Sequence, residues 1–488
     1  MKRRIRSTDI VNLALLLVEL GLYYTMSRTY SKPIVIFCVL VCLYETVIIL
    51  KNIKHAMIRP VSFLVLSYFI VNCQVYTDLI FGILTPDAKI FIRPNLITKG
   101  ALLSAVCATA LGIGYTNTRP TKRKLDKKPF SNSKLMVYNV MTLVSFVLWL
   151  SGLSAEDLSG DSYSGSGSYD SGARFYVEIL FQTMLFLSLV YYSKRPDIPK
   201  NLWAFLKGFP KLTMIAAGMY MLFRLMSGDR GPAIYTAILL LFVYTFKTKK
   251  TMKMKVALPL LVVGAIVMTS ISLTRGMGSE VGFREKMTYA VEDSDALEDA
   301  MRPSLCPFTA ELAGSLGCTH QALDETVNYG RPFHYGVFHM CYLIKFIPFL
   351  GTEIVTGLGI PKNYQSSSEY VTVARFGPLY RSGMGTSTIA DDYLEFGVWG
   401  VLIGLLFIGF IFKKVDTALL RCKGNEVSAS LLLLVYTMCY GCFYIPRGTF
   451  FMYFRTWLYA WAVMVFVNLI FLPFEGRTKI KNHDSEQS

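Results

Sequence analysis

Two adjacent carboxylates, Asp391 and Asp392, stand where a polar, glycine-hinged stretch passes into an apolar run. That stretch reads Arg381-Ser-Gly-Met-Gly-Thr-Ser-Thr-Ile-Ala-Asp-Asp-Tyr-Leu-Glu-Phe-Gly-Val-Trp-Gly400. An acid at a membrane edge can serve as a general base, because a low dielectric tunes a carboxyl toward neutral pH. The same position also suits a helix N-terminus, where Thr388 or Asp391 would cap orphan amides.

Arginine is the second chemical signal. Arg230 lies in Ser227-Gly-Asp-Arg-Gly-Pro232, Arg331 in Tyr329-Gly-Arg-Pro-Phe333 and Arg447 in Ile445-Pro-Arg-Gly-Thr449. Arg275, Arg284, Arg375 and Arg381 complete the set. A guanidinium is a planar, permanently charged fork that grips phosphate oxygens bidentately. Several forks around one outer cavity would suit a diphosphate. The plainer alternative is that each arginine snorkels to head groups or pairs with a nearby acid.

Other chemistries lack their signatures. No phosphate-binding Gly-x-x-x-x-Gly-Lys-Ser/Thr loop occurs, and no Gly-x-Ser-x-Gly nucleophile elbow. His320, His334 and His339 share one polar segment, but their spacing is wrong for adjacent helical ligands, so no metal and no cofactor are expected. Most of the ten cysteines fall in apolar runs and read as small buried side chains. Cys306 and Cys318 are the exception, and a disulfide could join them if their segment faces an oxidising compartment.

The elements that must position these residues are membrane spans. Hydrophobic residues make up 53% of the chain and charged residues 17%, outside the usual soluble range. Hydropathy predicts an all-α integral membrane fold of about twelve transmembrane helices. They fall at 11–26, 34–50, 61–84, 100–115, 135–153, 176–192, 212–226, 232–246, 256–272, 393–412, 428–444 and 453–474. The expected organisation is a bundle over 1–273, one large loop over 274–390 between the ninth and tenth spans, C-terminal helices over 391–474 and a tail over 475–488. Within the loop, 281–299 could form an external helix. The segment 334–360, interrupted by Lys345, Pro348 and Gly351, suits an interfacial or re-entrant helix better than a span.

Charge placement predicts the orientation. The loops at 51–59, 119–134, 194–211, 247–255 and 413–423 and the tail at 477–481 are basic. The opposite set is acidic and Ser/Gly/Tyr-rich at 154–174, short at 227–231, and mixed in the large loop. Both termini are therefore expected in the cytoplasm and the large loop outside. The N-terminal Met-Lys-Arg-Arg-Ile-Arg reads as the flank of an uncleaved first span. On this reading the net charge of +17 records orientation, and no nucleic-acid partner is expected. The low-complexity stretch 155–172 reads as a mobile external loop, or as a tyrosine-bearing lid over a glycan.

At these residues the chain resembles the Wzy-type O-antigen and capsule repeat-unit polymerases, which belong with the O-antigen ligases among membrane glycosyltransferases. The segments 227–231, 329–333, 385–400 and 446–448 carry the resemblance, with 385–400 the most specific. It implies a GT-C-like fold in the bacterial inner membrane and a metal-independent, inverting transfer at the periplasmic face. A polyprenyl-diphosphate-linked glycan would pass from its reducing end to the terminal sugar of an incoming lipid-linked unit. Its partners would be that lipid-linked glycan, the bilayer and a chain-length regulator protein. On this reading Asp391 is the base or acceptor-orienting acid, with Asp392 second. Arg230 and Arg381, counted with the acids as catalytic, join Arg331 and Arg447 in holding the diphosphate. Arg275, Arg284, His334 and His339 would contact donor or sugar. Asp391 stands where related polymerases often carry Glu, and the arginine-x10-glycine loop pattern of some members is not found in clean form. An O-antigen ligase, leaning on a loop histidine, is the nearest alternative. A lipid-linked oligosaccharide flippase is another, against which stand the single large loop, the lack of half-to-half repeats and the few charges deep in the spans.

Overall fold

A computed structural model describes residues 7–26, 29–52, 59–118, 131–153, 173–197, 199, 201–227, 230–248, 303–380, 383–421 and 427–485. Every regular element among them is helical. In sequence order the spanning elements begin with α1 (Ser7–Thr25), α2 (Lys32–Lys51), α3 (Pro60–Ile80), α4 (Ile97–Asn117), α5 (Asn132–Ser151) and α6 (Ala173–Ser193). Then come α7 (Lys211–Met226) and α8 (Arg230–Thr248). Apolar runs without breakers dictate these helices, and proline in the first turn of α2 and α3 fits a position that has no N–H to satisfy.

The loop region contributes α9 (Leu316–Leu323), α10 (Val337–Ile344), α11 (Gly351–Gly357) and α12 (Ser367–Phe376). The chain closes with α13 (Thr388–Arg421), α14 (Ala429–Gly441) and α15 (Phe451–Ser485). Among the described residues nine helices are long and apolar enough to cross a membrane. Two further expected spans correspond to the shorter α7 and α14, of 16 and 13 residues. The expected span at 256–272, the helix at 281–299 and the stretch at 155–172 lie outside the described residues. At 334–360 the chain forms two helices, α10 and α11, of 8 and 7 residues, too short to cross.

The core is centred on α4, which is buried along nearly its whole length while α1 and α15 turn most of theirs outward. Small residues make that possible. A Cβ on Gly114 would strike the Leu406 carbonyl, and one on Gly409 would strike the Leu111 carbonyl, so α4 and α13 meet backbone to backbone. The most extensive helix–helix packing among the described residues results. It anchors the helix that carries the acids.

The described part of the loop is knitted into this bundle. Gln74 of α3 donates to Ser304 Oγ and to the Cys306 carbonyl at 2.8 and 2.9 Å, and Asp78 accepts from Ser304 Oγ and Leu305 N at 2.7 and 2.9 Å. Helix α9 is entirely buried, and Thr319 on it shares a hydroxyl hydrogen bond of 2.9 Å with Ser387. The expected disulfide is not formed. Cys306 is exposed and Cys318 buried, both are free thiols, and Cys318 Sγ donates to the Met384 carbonyl at 3.4 Å.

The spans also hold more buried charge than their hydropathy suggested. Glu19, Glu45, Glu178, Arg224 and Asp416 are all buried within them. Glu19, Glu45, Glu178 and Arg224 sit in apolar runs whose averaged hydropathy absorbs them, while Asp416 follows Lys413 and Lys414.

Candidate functional site

Helix α13 is broken. Its first turns run from Thr388 to Glu395, the backbone leaves helical geometry at Phe396 and Gly397, and a second helical part continues beyond. Gly397 has φ of +63°, a region costly for any side chain, and a Cβ there would lie 2.8 Å from the Phe333 ring. The first part folds back onto the second. The Asp392 carbonyl lies against Gly400 and its carboxylate against Gly404, so closely that a Cβ at either glycine would collide. Glycines one turn apart thus form the trough in which Asp392 rests.

The N-terminus of α13 is capped by Ser387, whose Oγ accepts the Ala390 N–H at 3.0 Å. Thr388 does something else. Its hydroxyl donates to the Gly448 carbonyl at 2.9 Å and to that of Ile445, fixing the turn that bears Arg447. Because Ser387 serves the orphan amide, Asp391 is left for other chemistry.

Asp391 and Asp392 are both buried, and His339 of α10 lies between them. Its Nε2 is 3.6 Å from Asp391 Oδ2 and 3.5 Å from Asp392 Oδ1, ion-pair distances rather than short hydrogen bonds. Burial alone would lower the imidazole, but Asp391 and Asp392 together outweigh it and push His339 up to about 10. At neutral pH it is an imidazolium facing Asp391 and Asp392. The other oxygen of Asp391, Oδ1, is buried with no hydrogen-bond partner. The ligand atoms of these three residues lie within 4.8 Å of one another. A divalent cation could share such a set, although the sequence carries no metal-ligand spacing.

Glu395 holds His339 in place. Its carboxylate accepts the backbone N–H of His339 at 2.9 Å and that of Gly336, at the positive end of α10. Two backbone bonds reinforce this, His334 N to Leu394 O at 2.9 Å and Tyr335 N to Glu395 O at 3.0 Å. Gly336, at φ +97°, makes the turn into α10. The sequence analysis missed Glu395. Its spacing from Asp391 and Asp392, four and three residues, places all three on one helical face, and that signal was present.

The remaining candidates separate. His334 is packed among Phe338, Tyr370 and Tyr364, with ring centroids at 4.5, 4.6 and 5.5 Å, and burial pushes its imidazole down. It stays neutral, one backbone ladder from the acids. Arg331 is half-exposed, with Nε 2.9 Å from Glu325 Oε2. Tyr370 OH donates to the same oxygen at 3.4 Å. Arg447 is a third exposed and lies 3.8 Å from Glu311. Arg230 is the first residue of α8. Arg275, Arg284 and Arg381 lie outside the described residues.

Two arginines outside the sequence-predicted set are paired elsewhere in the fold. Arg93 pairs with Asp324 at 2.8 Å and donates to Tyr329 OH at 3.0 Å. Buried Arg224 pairs with Glu178, which also accepts from Tyr220 OH at 2.6 Å. The third loop histidine, His320, is structural. It is fully buried on Tyr76 OH at 3.0 Å, and burial pushes it down to about 3.

The site can therefore present a carboxylate oxygen to a hydroxyl, with a fixed cation behind it and the turn bearing Arg447 tied to the start of the same helix. No curated protein and no solved structure matches the chain. The family described as O-antigen polysaccharide polymerase Wzy matches residues 10–477. With nearly the whole chain inside that match, the protein belongs to the Wzy family of O-antigen polysaccharide polymerases, membrane transferases of surface-polysaccharide biosynthesis.

Proposed function

We propose that the chain joins polyprenyl-diphosphate-linked oligosaccharide units at the periplasmic face, moving the growing glycan onto the incoming unit. The observation that carries this reading is Asp391. One of its oxygens faces the His339 imidazolium and the other is buried without a partner, the arrangement of a base held ready for a hydroxyl.

In the reaction an acceptor hydroxyl oxygen attacks the anomeric carbon at the donor's reducing end. The bond from that carbon to the diphosphate oxygen breaks, and the diphosphate leaves with the electron pair. Asp391 Oδ1 takes the hydroxyl proton, and His339 keeps the resulting acid pair close to charge balance. Arg331 and Arg447, with Arg230 and Arg381, hold the departing diphosphate. Diphosphate leaves readily, so neither nucleotide nor metal is required. Chain-length control would come from a partner protein.

The test is purified protein in lipid with a polyprenyl-diphosphate-linked repeat unit, EDTA and no nucleotide, read as a product ladder on a gel. A ladder supports the proposal. A ladder only after a divalent cation is restored would assign the His339–Asp391–Asp392 cluster to a metal. Transfer only to an added lipid A core would make the chain a ligase.

A further inference from the structure

A second pair of buried acids lies in the N-terminal helices, apart from the site described above. Only three residues of α1 are buried, Asn12, Glu19 and Tyr23. Their spacing of seven and four puts them on one face, while Ile10, Leu13, Leu17 and Val18 point outward. A spanning helix that turns leucine outward and glutamate inward is lining something polar. Opposite it, α2 presents Glu45, fully buried.

The contacts are specific. Asn12 Nδ2 donates to Glu45 Oε2 at 3.3 Å, and Thr109 Oγ1 of α4 donates to Glu19 Oε1 at 2.8 Å. Gly112 of α4 cradles Glu45, because a Cβ there would occupy the carboxylate's place. Three buried oxygens, Asn12 Oδ1, Glu19 Oε2 and Glu45 Oε1, have no hydrogen-bond partner.

Other acids buried in the described spans are neutralised or bonded. Glu178 faces Arg224, Asp416 faces Arg59, and Asp391 and Asp392 face His339. Asp78 accepts a hydroxyl and a backbone N–H. Among the described residues neither Glu19 nor Glu45 has an ion pair. The titratable groups facing them, besides each other, are Cys38 and Cys42 of α2 and Cys107 of α4 beside Glu19, and Tyr44 of α2 beside Glu45. None is a cation. Lys99 is occupied over the Tyr23 ring, 5.0 Å from its centroid.

We propose that Glu19, Glu45 and Asn12 form an intramembrane proton-binding site, in which the carboxyls carry exchangeable protons and the free oxygens receive them. Two ionised carboxylates side by side in this setting would be uncompensated buried charge, which protonation removes. Tyr23, one turn beyond Glu19, hydrogen-bonds Tyr393 at 3.0 Å, and Tyr393 accepts from Thr326 at 3.1 Å. That link joins the acidic face of α1 to the loop side beside Asp392. The site stands independently of the reaction proposed above.

The test is labelling of the full-length protein in liposomes with the hydrophobic reagent dicyclohexylcarbodiimide, read by peptide mass spectrometry. The reagent adds only to a protonated carboxyl in an apolar setting. The carboxyl proton passes to a reagent nitrogen, and the carboxylate oxygen bonds to the central carbon. Labelling of Glu19 or Glu45 at neutral pH is expected, falling as pH rises and lost at the altered position in Glu19→Gln and Glu45→Gln. No labelling at acid or neutral pH, while the protein remains folded, overturns the proposal. Suppression of labelling by sodium at constant pH overturns it in favour of a metal-cation site.

Discussion

Two of the buried acid pairs among the described residues are handled differently. Asp391 and Asp392 share the imidazolium of His339, delivered by a loop helix, whereas Glu19 and Glu45 are bonded by a hydroxyl and an amide and meet no cation among the described residues. A fixed cation beside a carboxyl favours its charged form, the form that can act as a base. A carboxyl without one is stable as the neutral acid. Residue type alone thus assigns no role. The partner does.

The sharpest way to break this contrast is to neutralise one acid of each pair. Asp391→Asn is expected to lower chain extension in the ladder assay by about 10²–10⁴-fold, the usual worth of a general base, with the protein still inserted. Glu19→Gln, already neutral in its setting, should leave extension near the wild-type rate. Equal losses in both would erase the distinction. His339→Gln comes next, expected to cost about 10²-fold by removing the charge that steadies the acid pair.

The pH profile sharpens the same point. His339 is raised to about 10 by its carboxylates, so its ion pairs persist through neutral pH and are lost as pH rises through that value. Activity should therefore fall on the alkaline side near pH 10. Asp392→Asn removes one of the raising charges and should move that limb to lower pH. A limb that does not move would detach His339 from the acids.

Smaller effects probe positioning. Gly404→Ala should displace the Asp392 carboxylate and cost about 1–3 kcal/mol by overpacking, seen as a lowered thermal transition with reduced extension. Glu395→Gln retains one acceptor oxygen for two amides and should cost about 1 kcal/mol. Its kinetic signature is a fall in kcat with KM little changed. A change in KM alone would place Glu395 in substrate binding.

Much of the architecture was legible in the sequence because spans announce themselves by length and apolarity. The 385–400 segment also pointed to Asp391 and Asp392, which the structure sets beside His339. What the sequence could not show is proximity across the chain. His339 reaches α13 from 56 residues before Glu395, and nothing in its neighbours distinguishes it from His334 or His320. The structure separates the three by their surroundings, which are carboxylates, aromatic rings and a tyrosine hydroxyl respectively. Glu19 and Glu45 were hidden for the opposite reason, since hydropathy averages a lone acid away and only helix facing reveals it.

The fold-back of α13 has a consequence for how the chain tolerates change. Gly397 is constrained by backbone dihedral and by the Phe333 ring, and Gly400 by the Asp392 backbone carbonyl and Phe396 Cβ, whereas Gly404 is constrained by the Asp392 carboxylate. Three glycines in one segment should therefore answer saturation mutagenesis in two ways. Gly397 should reject every replacement in any background. Gly404 should accept alanine once Asp392 is shortened to serine or alanine, because the carboxylate is what occupies its missing side chain.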